Sequence, residues 1–95
     1  MYGEQMREAR RFIAENKFWD AGHSLAEALK NNDASVEAQL LSADVFDQQQ
    51  RFDEEFAAAR KAVRNEPESS QAREKLARAY LRNKAPEDAL REAQK

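Results

Sequence analysis

The sequence contains no cysteine. Disulfide frameworks, Cys-ligated zinc and thiol nucleophiles are excluded together, while the compartment stays open. Only two glycines and two prolines occur in 95 residues, too few to turn the strands of a sheet protein. Ile13 and Trp19 are the sole residues of their kinds, and alanine supplies much of the 41% hydrophobic fraction. No apolar run approaches the length of a signal peptide or a membrane span, and the stretch Met1 to Gln5 is polar. What is plentiful is charge of both signs, 36% of residues with a net of −2, which suits helices with solvated outer faces. That balance gives no general affinity for nucleic acid or anionic membranes. One small, soluble, all-α domain follows, with no targeting signal in the chain and the cytoplasm as the default compartment.

Catalytic material is equally sparse. His23 is the only histidine, and no nucleophile–base pair can be assembled around it. Asp53, Glu54 and Glu55 are consecutive at the start of a predicted helix, where the helix dipole favours negative charge. A metal site needs converging ligands instead. No glycine-rich phosphate loop is present. The expectation is a chain that is not an enzyme and that uses no cofactor and no metal.

The strongest positive signal is internal repetition, which must be sought before any local assignment. A shift of 34 residues superposes Ala9, Ala43 and Ala77, then Phe12, Phe46 and Tyr80, and brings Phe18 onto Phe52. Ala28 falls on Ala62, Leu29 on Val63, and Ala59 on Ala93. Helical periodicity agrees: Ala9, Phe12 and Asn16 share one stripe, and Ala21, Leu25, Ala28 and Leu29 form another. The small residue lets two helices approach, the aromatic three positions on fills the gap beside it, and Phe18 or Phe52 plugs the corner. One such hairpin cannot bury both faces alone, so neighbours must stack.

Val36 to Ser69 resembles a tetratricopeptide repeat over its full length, through Ala43, Phe46, Phe52, Ala62 and Pro67. Tyr2 to Ser35 is similar at Ala9, Phe12, Phe18, Ala21, Leu25 and Ala28, with Asp33 where proline is usual. Ser70 to Lys95 matches at Leu76, Ala77, Tyr80, Ala89 and Ala93 and stops eight residues short of a full unit. Three departures stand out. Glu55 occupies a small apolar position, Ala59 replaces a large aromatic, and Ser42 sits where Leu76 sits in the third unit; Phe56 is placed to compensate in part. The resemblance implies a right-handed superhelix of antiparallel helix pairs, an α-solenoid of about six helices in units 2–35, 36–69 and 70–95. The predicted helices run near 4–16, 19–32, 36–49, 53–66, 70–83 and 86–95. Ser35 and Ser69 are predicted N-caps, Pro67 lies just beyond a helix end, and Pro86 suits a first turn.

In this family the first helix of each pair lines a concave groove where ligands bind. The resemblance therefore implies a site on Met6, Arg7, Arg10 and Ile13 of the first unit. The second unit contributes Glu37, Leu40, Leu41, Asp44, Asp47 and Gln48, and the third Gln71, Glu74, Lys75, Arg78, Leu81 and Arg82. Met6, Leu40 and Leu41 also read as helix–helix core, and charges on one helix face as a solvated surface. The implied function is a protein-interaction scaffold or adaptor that holds an extended or helical peptide segment of a partner. Members that grip a C-terminal carboxylate of heat-shock proteins use Lys, Asn and Arg at positions filled here by Met6, Arg10, Leu41, Gln71 and Lys75. Only Lys75 and the charge of Arg10 remain, so no such clamp is expected.

Charge is uneven along the chain. Residues 2–35 carry five Lys and Arg against six Asp and Glu, residues 36–69 four against eight, and residues 70–95 seven against four. Such polarity orients a ligand of opposite polarity or favours head-to-tail association of copies. The third unit ends within its second helix, with Leu76, Tyr80, Ala89, Leu90 and Ala93 marking an open apolar face. A piece of a longer regulatory or assembly protein is the leading explanation. Cover by a second copy, giving a homo-oligomer through this C-terminal face, is the alternative, and a tolerated alanine-rich surface the third. Trp19 stands where the other units have Asp53 and Glu87; it either covers the Phe18 corner or anchors a second surface.

Overall fold

The computed structural model describes residues 1–82. Five α-helices follow one another among these residues: α1 (Tyr2–Ala14), α2 (Phe18–Asn31), α3 (Val36–Gln48), α4 (Phe52–Asn65) and α5 (Ser70–Arg82). The sixth predicted helix, with Pro86, Ala89, Leu90 and Ala93, lies outside the described residues. Paired helices α1–α2 and α3–α4 form antiparallel hairpins, and α3 and α5 each continue the stack against the hairpin before them.

Both hairpin corners are built on one repeated helix stop. At the end of α1 the amide of Lys17 donates to Phe12 O (2.8 Å) and that of Asn16 to Ile13 O (3.0 Å). At the end of α3 Arg51 donates to Phe46 O (2.8 Å) and Gln50 to Asp47 O (3.0 Å). This double closure requires a left-handed residue after the helix, and both Asn16 and Gln50 have φ of 59°. The corner is thus a backbone device, and it ends α1 at Ala14 and α3 at Gln48 rather than one or two residues later.

Both predicted serine caps form. Ser35 Oγ accepts from the Ala38 amide (3.1 Å) and Ser69 Oγ from that of Ala72 (3.2 Å), each satisfying an amide that the first helical turn leaves without a partner. Ser35 is buried, and its hydroxyl also bonds the Tyr2 hydroxyl at 2.5 Å. This ties the start of the first hairpin to the start of the second.

The far end of each hairpin is closed by amides at one register. Asn31 meets Gln5 with 2.8 Å between their amide groups, and 34 residues on, Asn65 Nδ2 donates to Gln39 Oε1 (3.2 Å). Gln39 is 2% exposed, so its satisfaction matters; its Nε2 donates to Asp33 O at 2.8 Å.

The small positions serve as predicted: Ala9, Ala21, Ala28 and Ala62 are fully buried and Ala43 nearly so. Between the first two units Met6, Leu25 and Val45 fill the core, with Phe12, Ile13, Phe18, Leu29 and Leu41 packed against it. Burying one such aliphatic side chain contributes roughly 1.5–3 kcal/mol. Towards the third unit the core holds Leu40, Ala62 and Ala72, flanked by Val36 and Val63. The departures fall here. Ala59 and Glu55 are both buried, and the Phe56 ring fills the room they leave by meeting Tyr80 edge-on, 4.6 Å between centroids. Ser42 is also buried and returns its hydroxyl to Ala38 O (2.8 Å).

Candidate functional site

Helices α1, α3 and α5 share one face, and two clefts open along it. The larger, about 400 Å³, lies between α3 and α5 and is lined by Arg10, Val36, Glu37, Leu40, Leu41, Asp44, Glu66, Ser69, Gln71 and Lys75. The other, about 340 Å³, lies between α1 and α3 on Ile13, Asn16, Phe18, Asp44, Val45, Asp47 and Gln48. Asp44 borders both, so they form one groove across three helices.

Two of the residues expected in this groove are largely buried. Met6 is 3% exposed and Leu40 7%, and both are core side chains. They share one repeat position, which in the first two units points between the helices of the hairpin and not across the face. Leu40 reaches the cleft only with its edge. The third residue at that position, Glu74, is exposed and pairs with Arg78 on its own helix (2.8 Å). Next along, Arg10, Leu41, Asp44 and Lys75 line the larger cleft and Ile13 and Asp47 the smaller, while Arg7, Arg78 and Leu81 hold the matching repeat positions outside both. Leu41 and Ile13 are half-buried and Leu81 is 60% exposed. Glu37, Gln48 and Gln71 are exposed on the same face, while the side chain of Arg82 lies outside the described residues.

Sequence reasoning did not anticipate how these charges are used. Arg10 of α1 forms an ion pair with Glu37 of α3, and Lys75 of α5 pairs with Asp44 of α3. The ninth position of the repeat alternates in sign from Arg10 to Asp44 to Arg78, and the bridges run diagonally from it, Arg10 to Glu37 and Asp44 to Lys75, while Arg78 pairs with Glu74 on its own helix. Both bridges are partly solvated, and such pairs contribute about 0.2–1 kcal/mol each. Their larger effect is to neutralise the groove from within. A ligand of strong net charge gains little there unless it displaces one of the partners.

Other chemistry is scarce among the described residues. No three or more His, Cys, Asp or Glu side chains converge as a metal would require. No helix is long and apolar enough to cross a membrane. His23 is exposed on α2, away from the groove.

Helix hairpins stacked in a 34-residue register, with first helices lining a shared groove, define an α-solenoid. The tetratricopeptide repeat model matches residues 6–69 and again 57–95. The chain belongs to the tetratricopeptide repeat family, a family of protein-interaction modules that are generally non-catalytic. Among solved structures it is similar to the TPR2B domain of yeast Sti1, in a complex described as TPR2B-domain with pHsp70. The TM-score is 0.89 at 20% identity, covering 96% of this chain and 73% of that one. It is also similar to a point mutant of MamA, with a TM-score of 0.87 at 17% identity, covering 98% of this chain and 68% of that one. At these identities the likeness is one of fold. No curated protein matches the chain.

Proposed function

We propose that this module holds a short segment of a partner protein, extended or helical, in the groove formed by α1, α3 and α5. The observation that carries the reading is the combination of half-buried apolar side chains, Ile13 and Leu41, with a rim whose charges are already paired as Arg10–Glu37 and Lys75–Asp44. Apolar anchors then supply the affinity, while the ordered rim sets direction and register. A segment of modest net charge and regularly spaced apolar residues fits this groove better than a polyanion or polycation. A neighbouring structure described as a complex of a TPR domain with pHsp70 supports a protein ligand of this kind.

The test is affinity capture with the full chain as bait, followed by mass spectrometry and a binding isotherm for each captured partner. Arg78→Glu and Asp44→Lys serve as controls. Both residues are exposed, so the thermal melt should hold within a few degrees while partner affinity falls about tenfold, the equivalent of 1.4 kcal/mol. Partners retained equally by both variants would place the binding surface elsewhere.

A further inference from the structure

The opposite face of the molecule is not explained by the groove. Helices α2 and α4 run side by side in the same direction, with α3 behind them. Between them lies an apolar trench of about 270 Å³, walled by Gly22, Ala26, Ala57 and Ala58 and floored by Val45 and Phe46. Small side chains on both walls leave room for a helix from outside to approach closely. At the N-terminal end of the two helices the trench continues into a second hollow of about 270 Å³. There Trp19 stands 70% exposed. Its ring is held in place: the Arg51 guanidinium lies 5.3 Å from the Trp19 centroid and 5.1 Å from that of Phe46. Glu54 fixes that guanidinium through bonds of 2.8 and 2.6 Å. A large apolar ring is thus presented to solvent in a fixed orientation, with little entropy left to lose on binding.

Charge along this face is ordered. Asp20 and Asp53 lie in the first turns of α2 and α4, while Lys61 and Arg64 lie near the C-terminal end of α4. None of these four forms an ion pair among the described residues, whereas Arg51 and Lys30 are neutralised by Glu54 and Glu27. The α4 side of this face is therefore negative at its start and positive towards its end, beside the apolar trench. Turned through a two-fold axis perpendicular to the helices, α4 lies over the α4 of the second copy, and the pattern is complementary to itself because each acidic start then meets a basic end. A parallel arrangement sets like charges together.

We propose that this face docks against the same face of a second copy of the chain, antiparallel, with each Trp19 entering the other copy's trench. The contact is isologous, so every interaction occurs twice. It leaves the α1–α3–α5 groove open in both copies and does not depend on what that groove binds.

Sedimentation velocity of the full chain over a range of loading concentrations tests this. A monomer–dimer equilibrium is expected, weakened about tenfold or more by Trp19→Ala and lost in Ala26→Arg, which fills the trench. Both positions are exposed, so circular dichroism melts of these variants should match the parent. Lys61→Glu with Arg64→Glu should weaken the dimer, and adding Asp53→Lys should restore it in large part by inverting the pattern along α4. The groove change Lys75→Glu should leave it intact. A chain that stays monomeric at every concentration overturns the proposal, as does a dimer indifferent to Trp19→Ala and Ala26→Arg.

Discussion

The two seams of this solenoid, first unit against second and second against third, solve one packing problem with different side chains. At the first seam Gly22 on α2 faces Val45 on α3, and a Cβ added to Gly22 would sit 4.0 Å from Val45 Cγ1. At the second seam the same two positions hold Phe56 and Ala79, and the bulk has crossed from one helix to the other. Leu25 and Ala59 reverse it once more within the second helix, the large side chain standing one turn later in the first unit than in the second. Even the buried Glu55 occupies the place of Ala21. The backbone register survives because the room between helices is conserved while the helix that supplies the filling is not. The second seam draws on an aromatic pair and fewer branched aliphatic side chains, and it should be the more readily opened.

Leu25→Ala should break the contrast most strongly. Leu25 is 1% exposed, and truncation should cost about 3 kcal/mol, read as a lower urea midpoint at unchanged slope. Phe56→Ala strikes the other seam. It removes a half-buried ring and its edge-on contact with Tyr80, for about 2 kcal/mol. Hydrogen exchange should then accelerate in α5 ahead of α1 to α3; uniform acceleration would show that the seams do not differ. Transplanting one solution into the other sharpens the point. Gly22→Phe alone should clash with Val45, and adding Val45→Ala should recover about 1 kcal/mol in a double-mutant cycle. Additive losses would disprove the exchange of volume. The smallest effect concerns the corners. Gln50→Gly should stabilise the second corner by about 0.5 kcal/mol, because glutamine is a poor left-handed residue. Asn16→Gly should change the first corner hardly at all, since asparagine adopts that conformation at little cost.

Much of the architecture was legible in the sequence. Ala9, Ala43 and Ala77 with Phe12, Phe46 and Tyr80 are enough to set the register, and Ser35 and Ser69 announce their helices, because these features depend on local spacing alone. The exposure of the expected groove residues was less legible than their helices. Met6 and Leu40 sit at the border between the core stripe and the groove stripe, where burial is decided by the volume of the neighbouring helix. Their shared register did carry a signal, since both are large and apolar while Glu74 is not. The ion pairs Arg10–Glu37 and Asp44–Lys75 depend on the spacing between helices from different units, which no single helical stripe encodes. The amide pairs Gln5–Asn31 and Gln39–Asn65 were visible as a 34-residue echo, yet neither residue type stands out within a polar helix surface.

Those amide pairs also set how the molecule answers to salt. Each hairpin is closed at its far end by uncharged groups, which ionic strength leaves untouched, whereas successive first helices are tied across the groove by solvated ion pairs that salt screens. Raising the salt concentration therefore weakens the ties across the groove while the amide closures stay as they are, and the apolar core shared by the first two units holds the stack together. A partner bound there would meet a rim whose order depends on the ionic medium, even where it makes no charged contact itself.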